Sequence, residues 1–124
     1  MTFASEIIAI RELEAGRSVG YGRRWTAERP SIIATIAAGY ADGYPRHAEN
    51  GTPVLVGDTV APLVGAVSMD MITVDLTDHP GASIGDPVEL WGPHIPVNDV
   101  AAHSDTIGYQ LLTGVTPRVP RLYD

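Results

Sequence analysis

Glycine and proline interrupt this chain so often that long helices have no room between them. Thirteen glycines and ten prolines are spread over 124 residues, and the apolar runs that remain are roughly four to eight residues long, the usual length of β-strands. A chain of this size forms one domain with a sizeable buried core. The sequence therefore predicts a single mainly β domain over residues 1–124, a small barrel-like unit of antiparallel or mixed strands with one or two short helices near its C-terminus.

Turn residues divide the chain into eight predicted strands. Gly57 and Asp58 separate two β-rich runs and predict a tight hairpin. Met71–Leu76 alternates apolar and polar side chains, the period of two that indicates a strand with one buried face. The predicted strands are Ser5–Leu13, Ser18–Gly22, Ser31–Ala38, Pro53–Val56, Thr59–Val67, Met71–Leu76, Pro87–Trp91 and Arg118–Tyr123.

The pattern becomes helical in the last third of the chain. Asn98 or Asp99 offers a cap for a short apolar turn, and Thr106–Leu112 has apolar residues at helix-like spacing. Two short helices are therefore predicted. Pro117 and Pro120 then confine the last strand to an edge of the sheet or an irregular path.

Charge and hydropathy exclude several classes of partner. Fifteen acidic residues stand against eight basic ones, for a net charge of −7, and the basic residues do not cluster, so no nucleic-acid partner is predicted. No apolar run approaches the ~18–20 residues of a membrane span, so no membrane partner is predicted either. The first residues lack the basic and apolar regions of a secretory signal, which predicts a cytoplasmic protein.

The inventory of reactive side chains is thin. The chain has no cysteine, and all eight basic residues are arginine, so it offers neither a thiolate nor a lysine that could form a Schiff base. The four histidines lack the spacing of metal ligands, and no metal site is predicted. They are His47, His79, His94 and His103.

Tyrosine is the more informative residue type. Tyr21, Tyr40, Tyr44 and Tyr109 each adjoin a glycine, which lets a ligand approach the backbone and leaves the ring uncovered. An uncovered phenol can serve as an acid, a base or a hydrogen-bond donor. The alternative interpretation is that these rings pack across the ends of strands.

Five short motifs carry a specific resemblance. They are VGYG at 19–22, GYADGYPR at 39–46, GAVSMDM at 65–71, TIGY at 106–109 and TPRVPR at 116–121. In this order, from about Ser5 to the last residue, they resemble the C-terminal domain of alanine racemase.

That resemblance implies an activity shared between two domains. In the family, an N-terminal (β/α)₈ barrel carries a lysine that binds pyridoxal phosphate covalently, and a mostly β C-terminal domain completes the site. The resemblance implies a homodimeric isomerase that interconverts L- and D-alanine for peptidoglycan. The partners implied are the chain's own N-terminal barrel, a second subunit and a small amino-acid substrate. Because this chain resembles only the second domain, it is expected to bind no cofactor by itself and to be inactive in isolation.

The resemblance also assigns two tyrosines. Tyr21 matches the tyrosine that acts as the base for one face of the substrate in the partner subunit's active site. An ordinary phenol, with a pKa near 10, is a poor base at neutral pH, so the assembled site must favour the phenolate. Tyr109 resembles the tyrosine that binds the cofactor phosphate within its own subunit.

Substrate contacts are implied in the two longest motifs. Met69 matches the position whose backbone contacts the substrate carboxylate, a role that a main-chain N–H can fill. Asp70 either contacts the substrate or caps its own turn. Tyr40, Asp42 and Arg46 resemble residues at the entrance to the site, where Arg46 could steer a small carboxylate inward.

One position departs from the family pattern. Ala66 stands where many members carry arginine, which implies a less positive and wider entrance and loosens the substrate assignment. One alternative is therefore the equivalent domain of a serine, lysine or broad-specificity racemase. Another is a non-catalytic β-barrel module that binds a ligand or a protein.

Overall fold

Nine strands and one short α-helix are formed within residues 2–19, 25–79, 81–102 and 121–122, the part of the chain that this computed structural model describes. Every strand pair is antiparallel. The predicted mainly β, barrel-like fold is confirmed. The elements are β1 (Thr2–Leu13), β2 (Ser18–Val19), β3 (Trp25–Thr26), β4 (Ser31–Ile36), β5 (Pro53–Val56), β6 (Thr59–Pro62), β7 (Ile72–Asp75), β8 (Pro87–Trp91), α1 (Val97–Ala102) and β9 (Arg121–Leu122).

Six of these strands form a nearly closed barrel in the order β6-β5-β8-β1-β4-β7. A bridge between Leu63 and Val74 joins the end of β6 to β7. The Val64 N–H donates to the Thr73 carbonyl at 2.9 Å, and the Thr73 hydroxyl donates back to the Val64 carbonyl at 2.6 Å. These contacts bring the two edge strands together, so the sheet leaves little open edge.

The long first strand, β1, organises the barrel. Its C-terminal part pairs with β4 and its N-terminal part with β8, and its register with β4 shifts between Ile7 and Ala9. The shift is a bulge, which bends a strand and lets it change partners. At its start, β1 also pairs with β9, which lies off the barrel path as predicted for the last strand.

The barrel interior holds the main core. Ile72, Val74 and Leu76 are buried in it, while the intervening residues of β7 are only half-buried. This confirms the predicted strand with one buried face. A second, smaller cluster lies on the outer face of β4, where Ile33 alternates with the inward-facing Ala34, and it attaches β2 and β3 to the barrel. Its members are Leu13, Val19, Ala27, Ile33 and Val64.

Several element boundaries differ from the predictions. The hairpin at Gly57 and the bounds of β5 and β8 are confirmed, but β1 begins three residues early because Phe3 packs on Trp91. The predicted strand Thr59–Val67 ends at Pro62, because the chain turns at Gly65, whose φ is +77°. The strands predicted at Ser31–Ala38 and Met71–Leu76 are shorter at their ends, and β3 was not predicted.

The first predicted helix is confirmed as α1, which has six residues. The second predicted helix, Thr106–Leu112, lies outside the described residues, as do parts of the strands predicted at Ser18–Gly22 and Arg118–Tyr123. Over the described ranges, no helix is long and apolar enough to cross a membrane.

Candidate functional site

A cleft of about 610 Å³ opens on the outer face of the barrel. Its floor comes from three neighbouring strands, with Arg11 on β1, Thr35 on β4 and Thr73 on β7. Thr35 and Thr73 are direct cross-strand partners. The walls are formed mainly by two loops, residues 39–46 (the tyrosine loop) and residues 65–71 (the methionine loop). The wall residues are Val19, Tyr40, Arg46, His47, Ala66, Val67, Ser68, Met69 and Met71.

The two loops are bonded directly to each other. The Tyr40 N–H donates to the Ser68 carbonyl at 3.0 Å, and the Ala41 N–H donates to the Met69 carbonyl at 2.9 Å. Gly39 makes this approach possible, because a Cβ there would lie 2.4 Å from the Ser68 oxygen and 2.5 Å from the Met69 oxygen. Its φ of −142° is ordinary extended backbone, so the need for glycine is purely steric.

The tyrosine loop begins with a 3₁₀ turn at Tyr40–Asp42. The buried Asp42 carboxylate accepts the Gly39 N–H at 3.0 Å and so holds the turn from below. Above it, the Arg46 guanidinium lies 5.1 Å from the centre of the Tyr40 ring, a cation–π distance. Tyr40 and Arg46 therefore line the cleft, whereas Asp42 lies beneath it.

The methionine loop is closed by a serine. The Ser68 hydroxyl donates to the Met71 carbonyl at 2.9 Å, and the Met71 N–H donates back to that hydroxyl at 3.1 Å. Met69 is half exposed and Asp70 is exposed at the tip of the turn. The Met69 carbonyl accepts the bond from the tyrosine loop, but its N–H donates to no acceptor among the described residues. That N–H is therefore available to a bound carboxylate.

Sequence reasoning missed three residues of this site. Arg11 and His47 line the cleft, and the Asn50 amide oxygen accepts the Gly65 N–H at 2.8 Å, which fixes the start of the methionine loop. Strand alternation could have placed Arg11 on the face opposite the core, but the bulge in β1 interrupts that pattern. No local signal marks the contact between Asn50 and Gly65, which are fifteen residues apart.

Tyr44, in contrast, belongs to the core. Its ring packs edge-on against Phe3 and stacks near Trp91, with centroid distances of 6.4 and 6.1 Å. Burial raises the pKa of its phenol well above the usual value. The expectation that a glycine neighbour leaves the ring uncovered is wrong for Tyr44, although Tyr40 is exposed.

The two tyrosines assigned by resemblance lie outside the described residues. Tyr21 belongs to the connection between β2 and β3, two residues beyond Val19, which lines the cleft. Tyr109 follows α1 in the sequence. In the ranges that the structure describes, no group of three or more potential metal-binding side chains is present.

The residues of this chain fit one wall of a pyridoxal-phosphate site but cannot attach the cofactor covalently. The chain has no lysine, so no side chain can form a Schiff base with an aldehyde. Among the residues that line the cleft, Arg11 and Arg46 carry guanidinium groups, and Met69 has a backbone N–H with no acceptor among the described residues. Such donors suit a carboxylate or a phosphate.

Comparisons with known proteins converge on one family. The family model for the C-terminal domain of alanine racemase matches residues 1–123. An alanine racemase of Chromohalobacter salexigens is 63% identical over 123 residues, which cover 99% of this chain and 34% of that protein. The chain therefore spans about a third of the length of the curated relatives that it matches.

Solved structures give the same result. The biosynthetic alanine racemase from Pseudomonas aeruginosa matches with a TM-score of 0.95 and 56% identity, over 100% of this chain and 35% of that chain. The alanine racemase from Bartonella henselae with covalently bound pyridoxal phosphate matches with a TM-score of 0.89 and 40% identity, over 98% and 34%.

Proposed function

This chain belongs to the alanine racemase C-terminal domain family, and from that premise we propose that it completes the active site of a pyridoxal-phosphate-dependent alanine racemase. The reaction is the interconversion of L- and D-alanine, which supplies D-alanine for peptidoglycan. The observation that supports this most directly is that the two longest family motifs form one bonded unit around Gly39 and wall a single cleft.

The cofactor is held outside these residues. Two observations support this division: the chain has no lysine, and it covers about a third of its relatives, one of which is named for covalently bound pyridoxal phosphate. When bound, the cofactor supplies the electron sink that makes the substrate Cα–H acidic. The 124-residue chain alone is therefore inactive, and the catalytic unit includes an N-terminal barrel.

The methionine loop binds the substrate carboxylate. Met69 lines the cleft and its N–H has no acceptor among the described residues, so this N–H can donate to an incoming carboxylate. Asp70, exposed beside it, either contacts the substrate or supports the turn. Tyr40 and Arg46 form the entrance, and Asp42 contributes by holding the turn that presents them.

Two tyrosines outside the described residues complete the assignment. Tyr21 is the base that moves the proton on one face of Cα, and it serves the site of a partner subunit in a homodimer. The opposite face is served by the cofactor lysine of the barrel. Tyr109 donates a hydrogen bond to the cofactor phosphate. The position of Tyr21 just beyond Val19, a cleft residue, supports its placement near the substrate.

The test is an assay of the full-length protein. Purified with pyridoxal phosphate, it should convert L-alanine to D-alanine, detected by D-amino-acid oxidase, while the 124-residue chain alone should not. Turnover of L-serine or L-lysine in preference to L-alanine would assign a related racemase instead. The non-catalytic module would be favoured by two results together. The protein would turn over no amino acid, and its gene would encode no barrel-sized segment with a lysine upstream of this domain.

A further inference from the structure

The cleft is a local concentration of positive charge on an acidic chain. Two arginines, Arg11 and Arg46, line it, although the net charge of the whole chain is −7. No aspartate or glutamate is among the described residues that line it. The two loops carry two carboxylates, Asp42 and Asp70, and neither lines the cleft. Asp42 is buried below the tyrosine loop.

Neither of the two arginines is neutralised within the described part of the chain. Arg29, for comparison, pairs with Asp78 at 2.9 Å, whereas neither Arg11 nor Arg46 forms an ion pair with a described carboxylate. Arg46 contacts the Tyr40 ring instead, which leaves its charge intact. A cleft with low-dielectric walls focuses such charges.

Arg11 occupies the floor of the cleft because of its place in the sheet. It is the cross-strand partner of Ile33, whose side chain packs in the outer cluster, so Arg11 lies on the outer face with Thr35 and Thr73. Ala66 lines the same cleft. The Arg11 cation of β1 and the small Ala66 side chain of the methionine loop therefore line the same space.

We propose that Arg11, together with Arg46, makes the cleft select against amino acids with a positively charged side chain. The inference rests on the proposed function and narrows its substrate class to amino acids without a positively charged side chain. A zwitterion such as alanine presents its carboxylate to the arginines and pays no net repulsion. Lysine and arginine carry an additional positive charge, which the cleft repels on approach.

The test uses the full-length holoenzyme with L-lysine and L-norleucine as competitors of L-alanine racemisation. Norleucine has the unbranched side chain of lysine without the side-chain amino group. Its inhibition constant therefore measures whether the cleft has room for that chain, without the effect of its charge. In Arg11→Gln, the inhibition constant of lysine should fall by about fivefold, the effect of one unit charge at about 4 Å in water. That of norleucine should not change. Arg17→Gln is the matched control, because it removes the same charge from an exposed turn outside the cleft.

Salt provides a second measurement that needs no variant. Raising the ionic strength screens exposed charges, so the inhibition constant of lysine should approach that of norleucine in the wild-type enzyme at about 0.5 M salt. The proposal is overturned if Arg11→Gln favours norleucine as much as lysine, if Arg17→Gln matches Arg11→Gln, or if salt has no effect. A wild-type enzyme that does not racemise alanine would instead overturn the proposed function.

Discussion

At the scale of single residues, the missing side chain of Gly39 determines how the two cleft loops meet. The Ser68 and Met69 carbonyls approach so closely that no Cβ fits between them and Gly39. The same carbonyls accept the bonds that fix the tyrosine loop. The position of the Met69 N–H therefore depends on a glycine thirty residues earlier in the chain.

We expect Gly39→Ala to lower the free energy of unfolding by about 1–3 kcal/mol, the usual cost of overpacking, and to weaken alanine binding. Urea unfolding of the chain and the KM of the full-length enzyme measure the two effects. Gly81→Ala is the control, since a Cβ there meets nothing within 4 Å. Equal behaviour of the two variants would contradict the steric role of Gly39.

Tyr44 allows a stabilising substitution. Its buried hydroxyl has no hydrogen-bond partner among the described residues, and an unsatisfied buried polar group costs about 1–3 kcal/mol. Tyr44→Phe keeps the ring contacts with Phe3 and Trp91 and should raise the free energy of unfolding by about 1 kcal/mol at pH 7. Urea unfolding measures this. A loss of stability would indicate that the hydroxyl is bonded.

The same substitution should alter the response to high pH. Burial raises the pKa of Tyr44 above its ordinary value, so above about pH 10 the unfolded chain loses a proton that the folded chain retains. Below that pH the phenol is neutral in both states and its titration does not change the free energy of unfolding. As the pH rises above it, the unfolded chain is favoured and the free energy of unfolding falls. Wild type should therefore lose stability above about pH 10 more steeply than Tyr44→Phe, as measured by urea unfolding across that range.

Tyr21 is the residue whose proposed role is most directly chemical. In the full-length enzyme, Tyr21→Phe keeps the ring and removes the ionisable oxygen, so proton transfer on one face of Cα should slow by roughly 10²–10⁴. Exchange of the Cα proton with solvent deuterium, followed separately from L- and D-alanine, measures each face. Near-wild-type exchange from both enantiomers would exclude Tyr21 as the base.

At the scale of elements, the short hairpin of β2 and β3 positions the segment that carries Tyr21. Each strand has only two residues, so backbone pairing alone gives it little stability. The outer cluster anchors it through Val19, and the Ser18 and Thr26 hydroxyls are bonded at 2.8 Å. The apolar contact holds the hairpin against the barrel, and the polar contact joins its two strands.

Thr26→Val removes the Thr26 hydroxyl, and with it the hydrogen bond to Ser18, while preserving the shape of the side chain. We expect kcat of the full-length enzyme to fall by up to about tenfold, the equivalent of one hydrogen bond, with little change in the urea midpoint. Thr59→Val is a control in the hairpin of β5 and β6, where Thr59 bonds to Asp58 at 3.3 Å. An equal loss of kcat in both variants would mean that the β2–β3 hairpin has no special role.

The elements that could be predicted are those with short-range signals. The turn at Gly57 and the alternation of Ile72, Val74 and Leu76 depend on neighbouring residues only, and the structure has both. The cleft depends instead on contacts between distant residues. In the cleft, Gly39 contacts the Ser68 carbonyl. In the core beside it, Tyr44 packs on Phe3 and Trp91. No local pattern encodes which strands bring such pairs together.

At the scale of the whole molecule, the proposed site is shared between subunits. If Tyr21 serves the partner's cofactor, a Tyr21→Phe dimer and a dimer lacking the cofactor lysine should both be inactive, and subunit exchange should restore about a quarter of wild-type activity. Half of the exchanged dimers are hybrids, and each hybrid has one intact site. No recovery after demonstrated exchange would place Tyr21 in the active site of its own subunit.

The pairing of β1 also has a consequence for synthesis on the ribosome. Within this domain β1 is made first, yet its hydrogen-bond partners are β4, β8 and finally β9 at Arg121–Leu122. At roughly 5–20 residues per second, the last partner is made about 5–20 s after β1. During that interval its apolar face has no complete sheet to join, and a topology with such distant pairings folds slowly. The nascent domain therefore exposes an incompletely paired strand until its last strand has been made.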